Sequence, residues 1–322
     1  KLQNINPNIE VIDVKNVRPG ALNPFEFLKK HHSDGTVEPL STSDLLTIVE
    51  IMCGKLDRQS IIDITPIITD FVTKNKQTDE YQDMLDVANY LYANPSTSAQ
   101  SVGTMLKLYE DNPLGKLLFT KESDVKPLHL SNTGSMVISL MGMDLPTFEK
   151  SPENYDANER LISAIVFIIT SKLVDILSQD NKVPATFICD EAHLLFCNTK
   201  MSEVINKFLS LGRSLNVATI LASQGISKFP KGIAQYITTT FMFKSTALDE
   251  IRLFLDTFGV ANDPNNTIDV DSIMASAPKF ESGICFMLDR HGRNGIIRIK
   301  SNYDIKLLTS NALDKERNKA VS

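Results

Sequence analysis

Cysteine is scarce: four in 322 residues, at Cys53, Cys189, Cys197 and Cys285, with no CxxC pair among them. That argues against a disulfide framework or a thiolate zinc site and points to a reducing compartment. Cys189 and Cys285 each fall in an apolar run, where cysteine serves as a small core residue. Basic charge is short as well. The 33 Lys and Arg face 39 Asp and Glu, a formal net charge of −6. A broad basic nucleic-acid surface is therefore not expected, and only a local groove remains open. Long apolar runs are missing too: Leu161–Thr170 is too short and too polar at its ends to span a bilayer. No signal peptide, internal repeat or low-complexity tract is visible. Lys1 is not an initiator, and the chain reads as a fragment.

What is present suits a globular chain. Hydrophobic residues make up 42% and charged residues 22%, enough for a sizeable core, and the length fits one large or two ordinary domains. The charge is uneven. Between Ser41 and Asp111 eleven Asp and Glu face five Lys and Arg, so this segment alone carries −6 and the remainder is close to neutral.

The first predicted strand is the β-branched run Ile9–Val14, followed by Ala21–Leu28, where Pro24 biases Asn23 toward an extended conformation. From Ser41 to about Tyr109 the pattern turns helical. Ser43 or Asp44 is the expected cap of LLTIVEIM, Thr78 or Asp79 the expected start of YQDMLDVANYLY, and Ser98–Tyr109 a third helix. This acidic, strand-poor block reads as an all-α insertion over 41–115 between core segments 1–40 and 116–322. Strands resume at Lys126–Leu130 and Met136–Met141. A long helix follows over Asn158–Ser178, with apolar residues at helical spacing. Pro184–Asp190 is an almost wholly apolar strand, which implies a parallel sheet covered on both faces. Helix Met201–Ser214, strand Val217–Ser223, strand Tyr236–Lys244 and the pair Gly283–Asp289 and Gly295–Lys300 complete the sheet. The alternation defines an α/β doubly wound domain.

The chemistry concentrates at Phe187–Glu191 (FICDE). In open α/β sheets ligands bind at the carboxyl ends of strands, where Asp190 and Glu191 emerge. An acidic residue there can hold Mg²⁺ through water, and its neighbour can align an attacking water for phosphoryl transfer. A strand ending in a solvated acidic turn is the plain alternative. Gln224, after the next strand, can sense a γ-phosphate or can be a turn residue. Arg213 can neutralise transition-state charge or interact with a helix end. Arg290 and Arg293 are weaker candidates for the same role. A phosphate-binding loop, GxxxxGK[ST], is absent: Gly54-Lys55-Leu56 and Gly115-Lys116-Leu117 lack the hydroxyl residue, the upstream glycine and a preceding strand. A full nucleotide site is therefore not expected from these residues alone, and the missing loop is expected upstream of Lys1. His193 lacks the HExxH spacing and reads as structural. His31-His32 reads as a polar loop.

In order, ALNPFEFL, KLLF before SMVISLMGMDL, FICDEAHLLF, GRSLNVATILASQ and GICFMLDRHGRNGIIRI resemble the cytoplasmic ATPases of conjugative type IV secretion systems, the TraC/TrbE-like class of the HerA/FtsK clan. The resemblance runs from Ile9 to Lys300. It implies a RecA-like P-loop NTPase core, a mostly parallel sheet flanked by helices, with an all-α insertion. It also implies ATP and Mg²⁺ as cofactors, a hexamer-forming homo-oligomer, and partner subunits of the secretion apparatus at the cytoplasmic face of the membrane, with DNA a possible partner. On the family pattern Asp190 and Glu191 match the Walker B pair, Gln224 the glutamine after the next strand, and Arg213 the arginine before it. Two rivals share the clan. A DEAH-box helicase lacks its Ser-Ala-Thr and QxxGRxGR motifs here, and a DNA-translocating coupling ATPase sits less well with the acidic insertion. A non-catalytic docking module is the third reading.

Overall fold

The computed structural model describes residues 8–31, 35–54, 56–75, 81–120, 126–130, 134–179, 184–196, 199–212, 214–260 and 269–300. They fall into two compact units, one within Asn6–Ser223 and one within Gln224–Ser322.

The first unit opens with β1 (Ile9–Asp13) and the short helix α1 (Pro24–Phe27). Asn23 caps α1 in a near-extended conformation (ψ 116°), as Pro24 demands, and Pro24 takes the first helical turn where no amide is needed. Asn23 is fully buried. Its side-chain carbonyl accepts from the Phe25 amide at 3.1 Å, and its amide donates to the Gln82 carbonyl at 2.7 Å. The Phe25 ring meets Phe71 edge-on at 5.9 Å, and Phe71 meets Tyr90 at 5.2 Å. The Asn-Pro-Phe piece is thus a clasp between the segment after β1 and the helices that follow.

After the small ladder β2 (Lys30–His31) and β3 (Val37–Glu38) come α2 (Thr42–Cys53), α3 (Arg58–Asn75), α4 (Met84–Tyr92) and α5 (Thr97–Lys107). The caps differ from expectation. Ser41 caps α2, because its Oγ reaches the Asp44 amide at 3.1 Å. Asp83 caps α4 through a capping box with Asp86. Residues Thr78 and Asp79 lie outside the described residues. Helix α3 has no counterpart in the sequence reading, since its isoleucines, threonines and Pro66 argue against helix. Thr65, Thr69 and Thr73 turn their hydroxyls back to the carbonyls four residues earlier, at 2.6–2.8 Å, while Ile64, Ile68, Phe71 and Val72 form the buried stripe.

Helix α2 ends at Gly54, whose φ of +81° suits glycine. A β-carbon there would also lie 2.1 Å from the Arg160 guanidinium. Arg160 donates to the Cys53 carbonyl at 2.7 Å and the Tyr109 hydroxyl donates to the Met52 carbonyl at 2.7 Å, so the last turn of α2 is satisfied from outside. Burial pushes the Cys53 thiol up to about 12 despite the nearby guanidinium, which leaves it an inert core group.

Beyond α6 (Lys116–Phe119), residues 126–130 do not form a strand. Pro127 has no amide to donate, and the segment is tied instead by the Leu128 amide to the Ala21 carbonyl at 2.8 Å. Strand β4 (Ser135–Ser139) pairs in parallel with β1, Ile9 opposite Ser135. The long helix α7 (Ala157–Gln179) is longer than the apolar stretch read from sequence. An 18-residue window within Ala157–Ser178 has a mean hydropathy of 2.0, so by length and composition alone the helix is apolar enough to cross a membrane, which the shorter stretch read from sequence was not. All ten residues from Leu161 to Thr170 are buried within the fold. Burial on every face is also the mark of a core helix. Strand β5 (Ala185–Cys189), helix α8 (Thr199–Leu211) and strand β6 (Val217–Leu221) complete this unit, with β5 and β6 parallel and Cys189 opposite Leu221. The expectation that β5 is covered on both faces fails: Ile188 is 66% exposed and Ile220, directly opposite it, 52%.

The second unit is an antiparallel sheet, β7 (Thr239–Met242), β8 (Ile284–Asp289) and β9 (Asn294–Arg298), with helices α9 (Leu248–Thr257) and α10 (Val270–Ser276). Met242, Ile251, Leu255, Ile273 and Phe286 form its core. These three strands hydrogen-bond to one another rather than extending the parallel ladder. The predicted strand at Tyr236 begins later, at Thr239, because residues 233–235 wind into a 3₁₀ turn.

Candidate functional site

Strand β5 is anchored by alternate side chains. Phe187 meets Phe208 of α8 edge-on at 6.0 Å, and Cys189 also packs inward, while Thr186 and Ile188 face out. Burial, together with the carboxylates of Asp190 and Glu191, pushes the Cys189 thiol up to about 12, so it stays protonated and plays no nucleophilic part.

The two carboxylates sit where the ladder breaks. With Cys189 opposite Leu221, a regular parallel ladder would send the Ala222 amide to Cys189 and the Glu191 amide to Ala222. The first bond is present at 2.9 Å, but the second comes from Ala192, at 2.7 Å. One extra residue is therefore accommodated at Asp190–Glu191, and Glu191 absorbs it with a left-handed φ of 55°. This is a β-bulge, a device that re-aims side chains at the ends of strands. A non-glycine residue in that conformation stores strain, of about 1–2 kcal/mol.

The strain is held from both sides. The Leu194 amide donates to the Glu191 carbonyl at 3.0 Å, and the Glu191 amide donates to Asp190 Oδ1 at 3.2 Å. The 3₁₀ turn Ala192–Phe196 that follows buries Ala192, His193, Leu194 and Leu195. Asp190 is left exposed. On the adjacent strand, Ser223 lies just past Ala222, and its buried Oγ has no hydrogen-bond partner.

The sequence-predicted site residues are placed unequally. Asp190 and Glu191 share the bulge. Gln224 opens the other compact unit, three residues beyond the end of β6, and is exposed. Arg213 lies outside the described residues. Arg293 is occupied in its own hairpin, where its guanidinium grips Asp289 at 2.6 Å. Burial raises the Asp289 carboxyl, but hydrogen bonds from Arg293 and the amides of His291 and Arg293 outweigh it and hold the group low. Arg293 therefore reads as a turn clamp. His31 is exposed, and His32 lies outside the described residues. His193, read as structural, is 5% exposed, with Nδ1 3.3 Å from Glu191 Oε2.

The donors at the strand ends are oxygens: the exposed Asp190 carboxylate and the orphaned Ser223 hydroxyl. That set fits a hard cation that keeps its water shell, as Mg²⁺ does. Among the described residues no group of three or more His, Cys, Asp or Glu could hold a metal directly, and a water-mediated ion does not need one.

Parallel strand pairs with helices packed against them make this an α/β fold of the RecA-like class, in which ligands bind at the carboxyl ends of the strands. The chain belongs to the AAA-like domain family, whose match covers residues 1–310. Among solved structures, VirB4 of Thermoanaerobacter pseudethanolicus shares this fold, with a TM-score of 0.68 at 12% identity, covering 94% of this chain and 79% of that one. The bacterial conjugative coupling protein TrwBdeltaN70, in its unbound monoclinic form, gives a TM-score of 0.47 at 10% identity, covering 91% and 74%. The uncharacterized protein YddE of Bacillus subtilis (strain 168) is 23% identical over 206 residues, 64% of this chain, which spans 23% of that relative's length.

Proposed function

We propose that this chain is part of an ATP-hydrolysing motor of a conjugative type IV secretion apparatus, energising channel assembly or substrate transfer. The observation that carries the reading is the bulged pair Asp190–Glu191 at the carboxyl end of a parallel strand. Family membership and the fold shared with VirB4 support it, and so does the resemblance of five ordered segments to the conjugative ATPases. Asp190 would hold Mg²⁺ through water, and the ion would neutralise charge on the phosphates. Glu191, turned out of the ladder, would align the attacking water. Arg213 and Gln224 would respond to the γ-phosphate. None of residues 1–322 forms a GxxxxGK[ST] loop, so turnover is expected of the natural full-length protein and not of these residues alone.

Residues 41–115 are proposed as an insertion into the core, since β1 and β4 pair directly across the helices between them. Its acidic surface would meet other secretion subunits. A homo-hexamer at the cytoplasmic face of the membrane is the assembly proposed, with DNA as a possible cargo.

The test is Glu191→Gln in the natural full-length protein. ATP binding should persist while turnover falls by at least 10²-fold, the scale of a lost general base. Undiminished hydrolysis would remove Glu191 from its role and take the catalytic reading with it.

A further inference from the structure

We propose that the cleft beyond the carboxyl end of β1 binds a small phosphate monoester that carries an apolar part. The turn Arg18-Pro19-Gly20-Ala21 forms one wall. Its sequence dictates its shape. Pro19 presets the second position, Gly20 supplies the left-handed third (φ +76°), and the Ala21 amide closes the turn on the Arg18 carbonyl at 3.1 Å. The Gly20 and Leu22 amides donate to the Lys116 and Leu117 carbonyls of α6, at 2.9 and 3.2 Å. Residues 126–129 form the other wall. The Leu128 amide ties it to the Ala21 carbonyl at 2.8 Å, and Pro127 keeps Lys126 out of helix.

The cleft encloses about 490 Å³, the scale of a small-molecule site. Val17, Ala21, Pro127 and Leu128 give it a largely apolar lining, to which Arg18, Lys126 and His129 add their polar heads. These three residues are exposed to solvent. No carboxylate is among the described residues that line the cleft. Among the described residues, none of the three side chains is engaged in an ion pair or a hydrogen bond. Two positive charges are therefore held in one cleft without a counter-charge, and an entering anion relieves their repulsion. The donor set selects that anion. A carboxylate brings one charge and two oxygens. A phosphate monoester brings a charge of about −1.5 to −2 and three acceptor oxygens. That matches a guanidinium fork, an ammonium and an imidazole N–H. The apolar lining takes the rest of the molecule. Open α/β sheets bind ligands beyond the carboxyl ends of their strands, and β1 runs parallel to β4. Neither Asp190 nor Glu191 lines this cleft.

The experiment is isothermal titration calorimetry of the natural full-length protein, with phenyl phosphate as probe and inorganic phosphate for comparison. Phenyl phosphate should bind about 10-fold more tightly, because only its ring reaches the apolar lining. Arg18→Gln and Lys126→Gln, both at exposed positions, should each weaken it by about 10-fold, the scale of one charge-assisted hydrogen bond. Lys107→Gln removes a charge outside the cleft and should leave the affinity as it is. An equal loss there would mean diffuse attraction and overturn the site. Phenyl phosphate that does not bind, that binds no better than inorganic phosphate, or that is indifferent to Arg18→Gln and Lys126→Gln would overturn it as well. Asp190→Asn should not alter probe binding. Loss of binding in that variant would move the ligand to the carboxylates and defeat the proposal.

Discussion

The helices at residues 42–107 and the strand ends at residues 188–193 and 220–223 satisfy their backbone and polar groups differently. In the helices, Ser41, Asp57, Asp83 and Ser96 each turn a side chain back onto an amide of the first turn. Arg160 and Tyr109 close the far end of α2. Leu45, Ile48, Leu91 and Leu106 are fully buried. At the strand ends one residue is left-handed, one buried hydroxyl and one buried imidazole nitrogen lack hydrogen bonds, and two isoleucines lie open. The capped helix ends and fully buried leucines belong to the helical block, and the left-handed residue sits at the carboxylates. Sites that must change partners are drawn from the less satisfied parts of a fold.

The largest expected effect tests the helical side of that contrast. Leu45→Ala removes a fully buried side chain from α2, and urea unfolding should show a loss of about 3 kcal/mol. A loss below about 1 kcal/mol would mean the block is loosely packed. Gly103→Ala is the sharper probe. In a solvent-facing helix this change stabilises by about 1 kcal/mol. Here a β-carbon would lie 2.6 Å from the Ala88 carbonyl oxygen and 2.6 Å from the Tyr92 nitrogen. Both are backbone atoms of α4 and cannot step aside, so overpacking of about 2 kcal/mol should outweigh the propensity gain. A raised melting temperature would show that α4 and α5 do not cross so closely.

Much of this was legible in the sequence, and the exceptions have physical causes. The apolar run before Asp190, the stripe of α7 and the extended Asn23 follow from periodicity and from the constraint that proline places on its neighbour. Helix α3 was hidden because Pro66 and its β-branched residues lower helix propensity, and tertiary burial of Ile64, Ile68 and Phe71 overrode that. The cap of α2 was misplaced by two or three residues, Ser43 or Asp44 in place of Ser41, because capping depends on which side chain reaches the third amide. The pair of carboxylates was legible, but the bulge beneath them was not. A glycine marks most left-handed positions in a sequence, and here the position is held by Glu191. The approach of His193 Nδ1 to Glu191, at 3.3 Å, was hidden for a related reason: it follows from that bulge, which no spacing rule anticipates.

The smallest expected effect comes from the strand side. Ile188 and Ile165 are the same residue type in neighbouring elements of one unit, 66% exposed and fully buried respectively. Truncating Ile188 to alanine removes methylenes that already touch water, so unfolding of the chain should change by no more than about 0.5 kcal/mol. The register sharpens the expectation. Ile188 lies directly opposite Ile220 on the same outward face, so each shields only part of the other. If Ile188→Ala instead costs as much as a buried truncation, that face is covered in solution. The contrast between a packed helical block and a bare strand end would then fail, and the strain at Glu191 would belong to a closed site.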